Sequence, residues 1–86
     1  MSSSTENDLV RQASADLATR LAVPPDQIQV VSVDEVEWRD SSLGVPQPGQ
    51  MYAQVITPGY RIILQAQGKR YRYHSDQQRV VFAGSE

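Results

Sequence analysis

The chain predicts a small α+β domain: an N-terminal amphipathic helix packed on a four- to five-stranded antiparallel meander sheet. Three observations carry that expectation. Apolar residues recur at helical spacing over the first quarter of the chain, the remainder switches to two-residue alternation rich in β-branched and aromatic side chains, and proline and glycine cut that remainder into short runs. At 86 residues there is room for one hydrophobic core, so a single domain over residues 5–83 is expected, with disordered ends at 1–4 and 84–86.

The helix is expected to start near Thr5. Ser3 and Glu6 have the spacing of a capping box, in which the hydroxyl accepts a helix N–H and the carboxylate reaches back. Leu9, Ala13, Leu17 and Leu21, with Val10, Ala18 and Ala22, form one stripe, while Arg11, Gln12, Asp16, Thr19 and Arg20 lie off it. Asp16 and Arg20 stand at i,i+4 in the favourable order. Val23-Pro24-Pro25 ends the run, because proline lacks the N–H and restrains the residue before it.

A long strand follows from Gln27 to Trp38. Ile28, Val30, Val36 and Trp38 share one parity but Val31 and Val33 the other, which predicts a bulge near Ser32–Asp34. Arg39–Gln50 reads RDSSLGVPQPGQ, an irregular loop long enough to suggest function rather than simple connection. Four short strands are then expected. A turn at Pro58-Gly59 would pair Thr57 with Tyr60 and set Val55 opposite Ile62, Ala53 opposite Leu64 and Met51 opposite Ala66. A turn at Gln67-Gly68 would set Leu64 opposite Tyr71 and Ile62 opposite Tyr73, and a turn at Ser75–Gln78 would set Tyr73 opposite Val80 and Tyr71 opposite Phe82. One face would then be apolar, and the other would carry Tyr52, Gln54, Ile56, Arg61, Ile63, Arg70, Arg72 and His74.

Composition excludes several functions. Without cysteine there is neither a disulfide nor a thiolate metal site, and a lone histidine cannot build an all-protein cage. No Walker A or dinucleotide glycine pattern occurs, and the acidic run Asp34-Glu35-Val36-Glu37 lacks EF-hand spacing, so no cofactor is expected. Asp34, Glu35 and Glu37 read instead as charges that keep a strand edge from aggregating. The absence of a basic leader and of a long apolar run suggests a cytoplasmic protein without membrane association. Residues 1–40 carry three arginines against eight acids, and residues 41–86 five bases against two acids, so the acidic and basic halves attract within one chain or between copies.

Four functional patterns deserve weighing against plainer structural roles. Trp38, Asp40, Ser41, Ser42, Leu43, Pro46, Pro48 and Tyr52 place aromatic anchors beside a proline-rich loop, as partner-binding surfaces do, although Trp38 at the rim of a core gives the same pattern. Arg61, Arg70, Arg72 and His74 beside Tyr52 would suit single-stranded nucleic acid, but an overall charge of −2 argues for a solvated sheet face. His74 with Asp40, Ser41 and Ser42 supplies the residue types of a hydrolase triad, yet no nucleophile elbow is present and no enzymatic activity is expected. Gln54, Pro58, Gly59 and Tyr60 would form an exposed hairpin tip. The expected function is a non-enzymatic module that binds a protein partner through loop 39–50 and its flanking aromatics, with homodimerisation through a strand edge also open.

Asp-Leu-Ala-x-Arg-Leu-x-Val-Pro from Asp16, Val-x-Trp at Val36–Trp38, Asp-Ser-Ser-Leu-Gly from Asp40 and Gln-Val-Ile-Thr-Pro-Gly-Tyr-Arg-Ile from Gln54 together resemble a family of small bacterial domains, found in cyanobacteria and elsewhere. Its members are mostly exported or lipoprotein-borne and have no assigned activity. The resemblance implies a cysteine where this chain has Val45 and a second around Val81–Gly84, joined as a disulfide in exported members; this chain has neither, which implies a reducing compartment. A weaker likeness at the level of fold is to cystatins and PepSY-like domains. Gln54–Gly59 has one residue more than the Gln-Val-x-x-Gly hairpin of cystatins, and that likeness implies a peptidase inhibitor.

Overall fold

A computed structural model describes residues 4–86. In order, its elements are α1 (Ser4–Leu21), a 3-10 turn (Pro25–Gln27), β1 (Gln29–Trp38), β2 (Thr57–Ala66), β3 (Lys69–Ser75) and β4 (Val80–Ser85). The strands form an antiparallel four-stranded sheet in the order β1-β2-β3-β4, with α1 packed on one face. The fold is therefore the helix-on-meander α+β arrangement that the alternating patterns predict.

The helical stripe is buried as its spacing requires: Leu9, Ala13 and Leu17 meet Ile62, Leu64, Ala66 and Tyr73 to form the core. Ser3 of the capping box lies outside the described residues, as do 1–3 of the expected disordered N-terminus. At the other end Ala22 is left-handed (φ 56°), the Val23 amide donates to the Ala18 carbonyl at 3.0 Å and the Ala22 amide donates to that of Thr19 at 3.3 Å. This is a Schellman closure, made by alanine where glycine is usual.

The β2–β3 hairpin has the register expected from the Gln67-Gly68 turn, with Ala66 opposite Lys69, Leu64 opposite Tyr71 and Ile62 opposite Tyr73. Gln67 and Gly68 both have positive φ (55° and 78°), as a tight primed turn between right-twisted strands demands. β1 carries an irregularity between Val30 and Ser32, two residues nearer its start than the parity change alone suggested.

Three expectations are corrected. First, Pro58-Gly59 is not a turn: Thr57–Ala66 is one continuous strand, paired with β1 from Trp38 opposite Thr57 onward. Residues 51–56 consequently form no strand, and Met51, Ala53 and Val55 do not join the apolar face. The proline is tolerated because β3 ends at Ser75, opposite Tyr60, so Pro58 lies past the β3 ladder. Second, the β3–β4 turn is centred one residue further on, which shifts the pairing by two and sets Tyr73 opposite Phe82 and Ser75 opposite Val80. The Asp76 carboxylate accepts from the amides of Gln78 and Arg79, each at 2.8 Å, and this local closure fixes the turn at Gln77-Gln78. A shift of two preserves parity, so Val80 and Phe82 still pack against the core. Third, residues 84–86 are not a loose tail: β4 runs through Ser85, and the Glu86 amide donates to the Arg70 carbonyl at 2.9 Å.

Candidate functional site

Because β1 pairs with β2, everything from Arg39 to Ile56 becomes the connection between two neighbouring strands. That connection is a folded structure in its own right. The Ser41 amide donates to the Ala53 carbonyl (3.0 Å), and the Ala53 amide returns a bond to the Ser41 hydroxyl (2.9 Å), closing the loop at its waist. Within it the Ser42 amide and hydroxyl both donate to the Asp40 carboxylate, which holds that carboxyl below the usual carboxylate range. The Val45 amide donates to the Ser42 carbonyl at 3.0 Å across Leu43 and Gly44, both left-handed (φ 59° and 77°). A leucine rarely accepts that conformation, and here its fully buried side chain enforces it. At the far end the Gln47 amide donates to the Tyr52 hydroxyl at 2.8 Å.

The loop is held to the sheet through Trp38, His74 and Ser75. Trp38 and His74 stack with centroids 4.3 Å apart and planes 26° from parallel, on the face away from the helix. The indole N–H donates to the Ser75 carbonyl at 2.8 Å, and His74 Nδ1 lies 2.7 Å from the Leu43 carbonyl. That carbonyl can only accept, so Nδ1 carries the proton in the neutral ring. Ser75 is fully buried, and its hydroxyl accepts the Tyr60 amide at 3.2 Å. Trp38 is thus half-buried and engaged through both its face and its N–H.

Burial lowers the His74 pKa below its ordinary 6.5; the bond to Leu43 opposes that shift, and Arg72 and Arg61 reinforce it. A histidine with a depressed folded pKa stabilises the fold above its unfolded value, and that stabilisation is lost as pH falls through the folded value. Stability measured by urea unfolding is accordingly expected to decline as pH falls below about 6.5, and His74→Gln to remove that decline. An unchanged slope in the variant would assign the decline to other groups.

The remaining predicted site residues fall into three sets. Ser42 and Leu43 are buried; Asp40, Ser41 and Tyr52 are half-buried; Pro46 and Pro48 are exposed. The hairpin tip does not exist: Pro58, Gly59 and Tyr60 lie within β2, Gly59 is buried, and Gln54 sits apart in the loop. The triad residues gather in space but are wired differently, since the Ser42 hydroxyl bonds Asp40 and His74 Nδ1 meets a backbone carbonyl. On the outer sheet face Arg61 and Arg70 are exposed and Asp34 faces Arg61 at 3.8 Å, while Tyr52 belongs to the loop and not to a strand of that face. Among the described residues, no group of three or more His, Asp or Glu converges as a metal site would require, and no helix is long and apolar enough to cross a membrane.

Two features escaped the sequence. Met51, Val55 and Ile56 are largely exposed, at 96%, 57% and 63%, where alternation had placed Met51 and Val55 on the buried face. Val45 and Val81 line one cavity, together with residues of α1, so the loop reaches around the β4 side of the sheet to the helix.

A helix laid on a four-stranded meander, with a structured 18-residue loop between its first two strands, defines a small α+β domain whose distinctive part is that loop. The chain belongs to the family described as a domain of unknown function (DUF8738), whose model matches residues 10–83. No curated protein and no solved structure gives a significant match.

Proposed function

We propose that the domain is a non-enzymatic protein-binding module whose contact surface is the outer part of the β1–β2 loop. The observation that carries this reading is the exposure of Met51, Val55 and Ile56 in six consecutive residues, on a loop otherwise fastened by buried Leu43 and stacked Trp38. Exposed large apolar side chains are unfavourable in water unless a partner covers them, and a rigid support lowers the entropy lost on docking. Pro46 and Pro48, also exposed, extend the same preorganised surface. Trp38, in this reading, positions the surface rather than entering the partner.

The inhibitor alternative loses its main support, because no hairpin forms there: residues 54–56 lie in the loop and 57–59 begin β2. Nucleic-acid binding loses the aromatic that was to stack beside the arginines. Val45, and the lack of a cysteine around Val81–Gly84, where the resemblance implies a pair in exported members, support a role in a reducing bacterial compartment.

The test is affinity capture from the native host's lysate with the intact chain and with a variant carrying Met51→Ser, Val55→Ser and Ile56→Ser. Burying side chains of this kind contributes roughly 1.5–3 kcal/mol each, so the variant should bind the captured partner at least about 100-fold more weakly while its circular dichroism is unchanged. Equal retention of the partner by both proteins would rule this surface out.

A further inference from the structure

A cavity of about 500 Å³ lies where α1, β4 and the β1–β2 loop meet, and its lining combines basic, phenolic and apolar side chains. Arg20 comes to it from the helix and Arg79 from the β3–β4 turn, while Val45 and Phe82 give it apolar walls and Tyr52 comes from the loop. We propose that this cavity binds a carboxylate carried on a short apolar body.

The polar groups around the cavity have a surplus of donors. The Tyr52 hydroxyl accepts the Gln47 amide at 2.8 Å, which leaves its own proton to be donated. Arg20 uses Nε on Asp16 at 2.5 Å, and Arg79 uses Nε on Asp76 at 3.6 Å and one terminal nitrogen on the Ser41 carbonyl at 3.3 Å; a guanidinium has five N–H groups, so each retains donors. Asp16 is the acidic residue in the lining, and one of its oxygens already accepts from Tyr73 (2.6 Å) as well as from Arg20. With Asp76 beside Arg79 and Asp16 beside Arg20, the two guanidinium groups are matched by two carboxylates, so a monoanion would be held by their remaining N–H donors and the Tyr52 proton rather than by net charge. A cation would face two guanidinium groups, and a wholly apolar ligand would desolvate them without return. A planar carboxylate suits the guanidinium fork. Arg20 covers the Phe82 ring, with its guanidinium carbon 4.3 Å from the centroid, so the apolar part of the ligand has Val45, Val80 and Val81 to rest on.

This site is distinct from the docking surface, since Met51, Val55 and Ile56 are not among its lining residues. The triple serine variant is therefore expected to keep carboxylate binding even if it loses the protein partner. The experiment is a ¹H–¹⁵N titration of the full chain with 3-phenylpropanoate, with the uncharged 3-phenylpropanamide, and with an acetylated dipeptide ending in a free leucine carboxylate. The acid should saturate with a Kd of about 1 mM or below, shifting the amides of Arg20, Val45, Gln47 and Phe82, and the amide analogue should bind about tenfold more weakly. Arg79→Gln should weaken the acid by a similar factor, and Val45→Phe, which fills the cavity, should abolish binding while leaving the rest of the spectrum in place. Tighter binding of the small acid would support a free metabolite as ligand, and tighter binding of the dipeptide the carboxyl terminus of a polypeptide. Equal binding of acid and amide analogue would overturn the proposal. So would shifts confined to the Arg61, Arg70 and Arg72 face, or no saturable shift up to about 10 mM.

Discussion

Gly59→Ala is expected to destabilise the domain by about 4 kcal/mol or more, a large part of the total stability of a domain this size. The cause is steric. A Cβ on Gly59 would fall on the Ser75 carbonyl oxygen, with the Ser75 carbonyl carbon 2.7 Å away and the Asp76 Cα 2.9 Å away, all of them backbone that no rotamer change can move aside. The same Ser75 carbonyl accepts the Trp38 indole N–H, and the Ser75 hydroxyl accepts the Tyr60 amide, so displacing Ser75 disturbs β1, β2 and β3 together. Gly68→Ala is the control. Open space surrounds that position, but its φ of 78° is left-handed, so the cost there is backbone strain alone, about 1–2 kcal/mol. Urea unfolding of the two variants should rank Gly59→Ala well above Gly68→Ala; the reverse order would mean that β3 can recede from β2 at little cost.

The contrast between these two glycines also explains what was legible in the sequence. At Gln67-Gly68 the local signal and the tertiary structure agree, and the β2–β3 register follows residue by residue. The helix was equally readable, because its stripe, its i,i+4 pair and its proline stop are all local. Pro58-Gly59 carries the same local signal as a turn but serves another purpose: proline at a position past one neighbour's ladder, and glycine where another backbone comes close. Only the long-range pairing of Trp38 with Thr57 distinguishes the two uses, and nothing in residues 51–60 encodes it. Alternation then misplaced Met51 and Val55, since a segment without a ladder has no sheet face to bury.

The loop was recognisable as a unit from its glycines and prolines, but the direction of each side chain within it was not. Leu43 and Gly44, both with positive φ, reverse the chain, so residues on either side no longer alternate. This is why Leu43, one of several expected contact residues, is fully buried while Pro46 is exposed. The cavity residues were legible only singly: Asp16 and Arg20 as a helical pair, Arg79 as one more base, and Val45 through the family pattern. Their convergence depends on the loop passing around the β4 side of the sheet.

Leu43→Ala tests whether that loop belongs to the cooperative fold, and the expected loss is about 2–5 kcal/mol, the range for truncating a fully buried leucine. Alanine keeps the left-handed strain at this position while giving up most of the buried surface that enforces it, so nothing offsets the loss. The Leu43 carbonyl would then drift from His74, and the Trp38–His74 stack would lose the loop that Gly44 now brings against both rings. Two opposed effects act on His74: loss of burial raises its pKa and loss of the Leu43 bond lowers it. Burial is the larger, so the pKa should rise toward its ordinary value in the variant. A lower urea midpoint, red-shifted Trp38 fluorescence and a raised His74 pKa together would mark the loop as part of the core it covers. If loop amides alone lose exchange protection while the unfolding midpoint holds, the loop opens as a separate unit. Its exposed apolar segment would then be presented by a hinged element, and the entropy of ordering that element would fall on partner binding.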